Sequence, residues 1–326
     1  MAQPTATFAK VAEKLKDLPV NAVAADVVQT VKDGKVTILT AETGSGKTLL
    51  ANAELADHSD EQVVVLVPRR FLAMNAAEAI AELGELELGK EVGFAIGSQG
   101  KDESKFRPDT KLLFATYGYA ISSGLIDTAK TVVADEVHEA GADTSLARAI
   151  LHRRLQSDPD LRVVEMSATL DAEKQASYWR DITDVAMHHA EGRAFDCEQR
   201  YVHPSESDGL HNYIVNLLIN ENRNGIAVFR PGVGEVESTA EKVRMQLDQM
   251  GRSDIEVAYI YGDMSAEERA EALAPPKNGT KKVLVGTNVI ESGMNIPWLD
   301  TGVSDGTGRI PYYRDNGAEA LLLEDL

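Results

Sequence analysis

VTILTAETGSGKTLL, residues Val36 to Leu50, is the stretch around which the rest of the chain falls into place. Val36, Ile38 and Leu39 form a short apolar run suited to a buried parallel strand. Ala41 to Thr48 follow as a tight loop, and Leu49 to Leu55 read as a helix. This is the setting of a phosphate-binding loop, with Ala41 where the stricter pattern has its first glycine. Glycines let successive backbone N–H groups curl around an anion, and the helix N-terminus adds the positive end of its dipole. The candidate cradle is therefore Glu42, Thr43, Gly44, Ser45, Gly46, Lys47 and Thr48. Lys47 would reach the β- and γ-phosphates of a nucleoside triphosphate, and the Thr48 hydroxyl would hold Mg²⁺. A glycine-rich strand–helix turn that binds nothing is the competing reading of the loop alone.

The chain has 326 residues, room for two domains of ordinary size. Hydrophobic residues make up 43%, enough for real cores. No run of 18 apolar residues is present, which excludes a membrane-spanning helix. Cys197 is the single cysteine, which excludes a disulfide framework or a cysteine metal cluster. MAQPTATFAK has no apolar signal core. The expectation is a cytoplasmic protein, in the host cytoplasm if viral. The net charge of −19 runs against the basic footprint usual in nucleic-acid binders. A polyanion would have to be held in a narrow groove by backbone amides, hydroxyls and a few arginines.

Outward from the loop, residues 1–18 carry Phe8, Val11, Leu15 and Leu18 at helical spacing, and Leu18-Pro19-Val20 breaks the pattern. A second helix is expected over Ala22–Val31. Apolar strand candidates follow at Val63–Val67, Leu112–Ala115, Thr131–Ala134 and Arg162–Met166, and a helix at Phe71–Leu83. Buried strands alternating with helices predict a parallel α/β sheet, whose chemistry lies in loops at the carboxyl ends of the strands. The pattern loosens over His189–Val202, which places a domain boundary there: residues 1–190 and 191–326. A second alternation then runs through strands at Gly225–Phe229, Ile255–Ile260 and Lys282–Val285, with helices at Val233–Met250 and Ser265–Leu273.

Thr131–Ala134 ends in Asp135-Glu136-Val137-His138. After a phosphate loop, a strand ending in carboxylates is where a Mg²⁺-organising Asp belongs. Asp135 would act through water on the ion, and Glu136 would orient and deprotonate the attacking water. Thr48, Asp135 and Glu136 are thus the candidate metal surroundings. His138-Glu139 also opens a zinc-protease pattern, but Ala142 stands where the second His is needed.

With Ser167-Ala168-Thr169 at the next strand end, the chain resembles the superfamily 2 helicases of the DExH kind. Several further segments agree. Pro68-Arg69-Arg70 resembles the Pro-Arg-Arg motif of the DEAH/RHA group, and Thr116-Tyr117-Gly118 its Thr-x-Gly nucleic-acid contact. Val228 to Gly232 with Glu235 and Glu237, and Val285 to Pro297, resemble its segments in the second lobe. Viral DExH RNA helicases share much of this pattern. The resemblance implies two RecA-like lobes, with Glu136, Lys47, Asp135 and His138 catalytic. It also implies nucleic-acid contacts from Arg69, Arg70, Thr116, Gly118, Arg230 and Thr287, and coupling through Ser167, Thr169, Gly286 and Asn295. ATP or another NTP with Mg²⁺ would drive movement on single-stranded nucleic acid. RNA is favoured over DNA by the resemblance, with 3′ to 5′ polarity.

The group's final Gln-Arg-x-Gly-Arg-x-Gly-Arg stretch has no counterpart, and Gly308-Arg309 stands alone. The second lobe is therefore expected to be truncated, and the chain to bind nucleotide but hydrolyse it poorly, since such arginines are worth about 10³–10⁵ in rate. Leu18-Pro19-Val20 resembles the DEAH arrangement and implies weak nucleobase selectivity. The alternatives are a DNA-tracking motor of the same superfamily, and a non-hydrolysing nucleotide-gated clamp that binds protein partners.

Overall fold

The computed structural model describes residues 7–325 except 35, 98–103, 140, 169–170, 193–197, 203–208, 263, 288–289, 291–295 and 314–318. The chain divides into two compact units, Met1–Cys197 and Glu198–Leu326.

The first unit runs α1 (Ala9–Leu15), α2 (Asn21–Lys32), β1 (Val36–Ala41), α3 (Asn52–His58), β2 (Val63–Val67), α4 (Arg70–Gly84), β3 (Val92–Ala95) and β4 (Leu112–Thr116). It continues through α5 (Tyr117–Ser122), α6 (Leu125–Thr128), β5 (Thr131–Ala134), α7 (Ala142–Leu155), β6 (Arg162–Ser167), α8 (Ala172–Trp179) and β7 (Val185–Ala190). The seven strands form one sheet in the order β3-β4-β2-β5-β6-β1-β7, every pairing parallel. Register does the work of assembling the site. Thr40 lies opposite Ser167, Ala134 opposite Glu165, Leu66 opposite Ala134, and Val67 opposite Thr116. The carboxyl ends of β1, β6, β5, β2 and β4 therefore share one edge of the sheet, where parallel α/β folds carry their ligands.

The strands read as continuous apolar runs because both faces of the sheet are covered. Leu39, Val65, Val164 and Met166 face one core with α1 to α4. Ile38, Leu66, Val163 and Trp179 face the other. The second core holds a charge. Glu165 is fully buried, and the Arg148 guanidinium grips its carboxylate with two bonds of 2.6 and 3.2 Å while stacking 4.4 Å from the Tyr178 ring centre. Burial pushes the Glu165 carboxyl up, and Arg148 pulls it back. Arg148→Ala leaves that charge buried without its partner and is expected to cost about 3 kcal/mol at neutral pH. The sign with pH follows from the raised folded-state value. Without Arg148 the carboxyl rises further, so the penalty is full above that higher value and fades as pH falls through it, and denaturant unfolding should show the variant approaching wild type as pH is lowered toward the ordinary carboxylate range.

Three sequence expectations differ in detail. The N-terminal helix covers only Ala9–Leu15 of the described residues. Helical winding after the phosphate loop starts at Lys47, with a π-wound turn to Ala51 before α3. β3 and β7 were not expected. β3 contains Gly93, where a Cβ would sit 2.4 Å from the Lys105 carbonyl oxygen, so close backbone approach removes the residue type that signals a strand. β7 is an edge strand carrying His188 and His189, too polar to read as a buried run.

The second unit holds α9 (Leu210–Ile219), β8 (Gly225–Phe229), α10 (Val233–Gln249), β9 (Glu256–Ile260), α11 (Ala266–Leu273), β10 (Lys282–Gly286), β11 (Thr301–Ser304), β12 (Thr307–Tyr313) and β13 (Glu319–Asp325). Its sheet order is β11-β8-β10-β9, all parallel. Leu218, Val228, Val236, Val243 and Val285 form its main core. Ser265 starts α11 with a reciprocal capping box to Glu268. The antiparallel hairpin β12–β13 had no counterpart in the sequence reading.

Candidate active site

The phosphate loop takes its shape from two glycines. Gly44 and Gly46 have φ of 81° and 98°, a region costly for side-chain-bearing residues. A Cβ on Gly44 would meet nothing within 4 Å, so no side chain crowds the loop at that position. A Cβ on Gly46 would lie 2.8 Å from Leu18 Cδ1 and 3.1 Å from Val20 Cγ1. Leu18 and Val20 thus brace the loop from behind, and the Val20 N–H donates to the Ser45 carbonyl at 3.0 Å. Gly46→Ala should lower stability by roughly 1–3 kcal/mol. Chemical denaturation would read that loss, and Gly44→Ala should cost less because only its φ objects.

Lys47 is buried, and its ammonium donates to the carbonyls of Ala41 at 2.6 Å and Glu42 at 3.2 Å. An ammonium has three donors, so one is left for an anion in the curl. Thr48 donates its hydroxyl to Asp135 Oδ2 at 2.7 Å, which ties the loop to the end of β5. Asn52, fully buried, donates to the Thr48 carbonyl at 2.8 Å and holds the first turn in place.

Asp135 is fully buried, and its Oδ1 accepts the N–H of Glu136 at 2.9 Å. Glu136 sits at φ 53°, a left-handed conformation rare for a residue with a long side chain. That backbone turn swings its carboxyl away from the strand direction. Burial pushes both carboxyls up. At Asp135 the Thr48 hydroxyl, the Lys47 charge and the Glu136 N–H oppose it. At Glu136 burial and the Asp135 charge act together and take it to about 7. His138 Nδ1 lies 3.4 Å from Glu136 Oε2 and accepts the Ala168 N–H at 3.4 Å, so the ring proton belongs on Nε2. Burial lowers the His138 pKa, consistent with a neutral ring beside Glu136 rather than an ion pair. Ser167, fully buried at the end of β6, also reaches His138 Nδ1 at 3.4 Å.

The other predicted residues of this unit line the same sheet edge. Arg69 precedes α4 and forms a 3.0 Å ion pair with Glu139, one residue past His138. Arg70 begins α4. Thr116 caps α5 through the Tyr119 N–H. Gly118 lies where a Cβ would stand 2.8 Å from Asp143 Oδ2. In the second unit the Arg230 N–H donates to the Gly286 carbonyl at 2.8 Å, and its guanidinium pairs with Asp305. Gly286 ends β10 against Ile260, and the Thr287 N–H reaches the Ile260 carbonyl at 3.3 Å. Thr169 and Asn295 lie outside the described residues. Sequence reading missed Glu139, Asn52, Asp305 and the phenol of Tyr117. Tyr117 and Glu139 stood inside or beside motifs already noticed, while Asn52 and Asp305 carry no motif.

A family model described as DEAD/DEAH box helicase matches residues 21–177, and one described as helicase conserved C-terminal domain matches residues 210–306. The chain is 29% identical over 307 residues to a probable ATP-dependent RNA helicase, the DHX35 homolog of Caenorhabditis elegans, covering 87% of this chain and 41% of that protein. It superimposes on the crystal structure of the Escherichia coli DEAH/RHA helicase HrpB with a TM-score of 0.78 and 26% identity, over 95% of this chain and 40% of that one. This chain belongs to the superfamily 2 helicases of the DEAH/RHA group. Its two parallel-sheet units are the RecA-like lobes of that group. It spans about two fifths of the length of these two helicases, 41% and 40%. Within the DEAH/RHA framework the acidic motif reads Asp-Glu-Val-His, and Tyr117 fills the variable position of Thr-x-Gly.

Proposed function

We propose that this chain is the nucleotide-driven core of an RNA helicase, hydrolysing ATP or other NTPs to move on single-stranded RNA, with 3′ to 5′ polarity. The observation that carries the reading is the 2.7 Å bond from Thr48 of the phosphate loop to Asp135, with Glu136 turned out beside it. The triphosphate would lie in the Gly44–Thr48 curl against the free donor of Lys47. Glu136, held near neutrality, is suited to take a proton from the attacking water, because a base works best with a pKa near the working pH.

The residues present fit Mg²⁺. The Thr48 hydroxyl and Asp135 carboxylate are hard oxygen donors already turned toward each other. No group of three or more His, Cys, Asp or Glu among the described residues forms a metal cage of its own. That suits an ion shared with substrate phosphates. Bound there, Mg²⁺ would neutralise charge on the β- and γ-phosphates. Asp135 then holds Thr48 and the Glu136 N–H in place, and the His138 ring stands between the Glu136 carboxyl and the end of β6, 3.4 Å from Glu136 Oε2 and from the Ser167 hydroxyl.

Thr116, Gly118, Arg69 and Arg70 would meet nucleic-acid phosphates in the first lobe, and Arg230 and Thr287 in the second. Contacts of this kind position a strand without reading its sequence. The test is hydrolysis with and without poly(U) and single-stranded DNA. Stimulation by poly(U) is expected. Stimulation by DNA alone would make the chain a DNA-tracking motor, and binding without turnover would make it a nucleotide-gated clamp unless a longer chain carrying the arginine stretch restores hydrolysis. Affinities for ATP, GTP, CTP and UTP should agree within tenfold, because Leu18 and Val20 are engaged in bracing the loop. A preference for ATP beyond that would contradict this part of the reading.

A further inference from the structure

Tyr117 is one of the largest fully buried side chains of the first lobe, yet it lies between Thr116 and Gly118 on the edge that holds the acidic motif. Its hydroxyl donates to the main-chain carbonyl of Asp135 at 2.8 Å. No other hydrogen bond reaches that carbonyl among the described residues. The carbonyl belongs to the peptide joining Asp135 to Glu136. The N–H of the same peptide is held by Asp135 Oδ1 at 2.9 Å. The two bonds fix the plane of that peptide from opposite sides, and the plane sets where the chain leaves for Glu136 at φ 53°. A left-handed residue keeps that conformation only when its surroundings determine it. Burial first, and then the Asp135 charge, raise the phenol pKa well above its ordinary value, so it stays a donor at any working pH.

The other end of Tyr117 is anchored just as firmly. Thr116 caps α5 by accepting the Tyr119 N–H, and Gly118 approaches Asp143 Oδ2 so closely that a Cβ there would be only 2.8 Å away. A shift of Thr116 or Gly118 must therefore carry Tyr117 with it.

We infer that Tyr117 is a positioning residue for hydrolysis, its phenol holding the Asp135–Glu136 peptide so that occupancy of the Thr116–Gly118 contact is felt at the Glu136 carboxyl. The inference rests on the proposed function, since it presumes that Thr116 and Gly118 meet nucleic acid and that Glu136 acts on water.

The test compares wild type, Tyr117→Phe and Tyr119→Phe. The last is a matched control, a phenol lost two residues on whose ring packs edge-on to Phe106. Two quantities are read for each: Mg²⁺–nucleotide affinity with and without oligo(U), and single-turnover hydrolysis with protein in excess. Tyr117→Phe should keep nucleotide affinity within about twofold. It should lower the oligo(U)-stimulated rate about tenfold and bring the mutual effect of oligo(U) and nucleotide on each other's affinity, about tenfold in wild type, close to one. Tyr119→Phe should match wild type. Where turnover is too slow to follow, the affinity coupling alone decides. Unchanged rate and coupling in Tyr117→Phe overturns the assignment. So does loss of nucleotide binding itself, which makes the phenol merely structural, or an equal loss in Tyr119→Phe. Failure of wild type to bind nucleotide, or indifference of wild type to oligo(U), would instead overturn the proposed function.

Discussion

Glu136→Gln is expected to keep nucleotide affinity and to reduce single-turnover hydrolysis by about 10²–10⁴-fold, the usual share of a positioned general base. The amide has nearly the same shape, so packing around the left-handed turn is preserved and the Glu136 N–H still meets Asp135 Oδ1. What disappears is the ability to accept a proton. The buried like-charge pair disappears too. With Asp135 no longer facing a second carboxylate, the folded protein should be no less stable than wild type at pH 8, because burial and the Asp135 charge raise the Glu136 pKa. Rapid quench for turnover and a fluorescent-nucleotide titration for affinity separate the two effects. A parallel loss of binding and turnover would show that Glu136 holds the nucleotide rather than acting as base on the attacking water.

Lys47→Ala is the second large effect. The ammonium is buried at the mouth of the curl with one donor uncommitted, and an anion there would be met in a poorly solvated site. Removing one member of such a charge pair costs about 3–4 kcal/mol, or roughly 10²–10³-fold in Kd. Calorimetric titration with a non-hydrolysable ATP analogue and Mg²⁺ should show that loss. Folding should survive, because Asp135 keeps the Thr48 hydroxyl and the Glu136 N–H as donors when the Lys47 charge is gone. An unchanged Kd would mean that the nucleotide does not reach Lys47.

The centre of the site was legible in the sequence because its chemistry is local. A strand, two glycines and Lys47-Thr48 lie within a dozen residues, and Asp135-Glu136 follow an apolar strand of their own. Parallel pairing then brings the two motifs together, and the buried strands β1, β2, β4, β5 and β6 show plainly as apolar runs. What was not legible depends on side chains meeting across long separations. The Tyr117 bond to Asp135, the Arg69–Glu139 pair and the Arg148–Glu165 pair are fixed by register and helix placement. β3 hid behind Gly93, and β7 behind two histidines at a sheet edge. The left-handed turn at Glu136 was equally invisible, since a glutamate gives no hint of positive φ.

The most direct test is a crystal structure of the chain with a non-hydrolysable ATP analogue and Mg²⁺. The β- and γ-phosphates are expected inside the Gly44–Thr48 curl within hydrogen-bonding reach of Lys47 Nζ, with the ion beside Thr48 and Asp135 and the Glu136 carboxyl facing the γ-phosphate. An analogue bound elsewhere, or a curl left empty at saturating concentration, would contradict it.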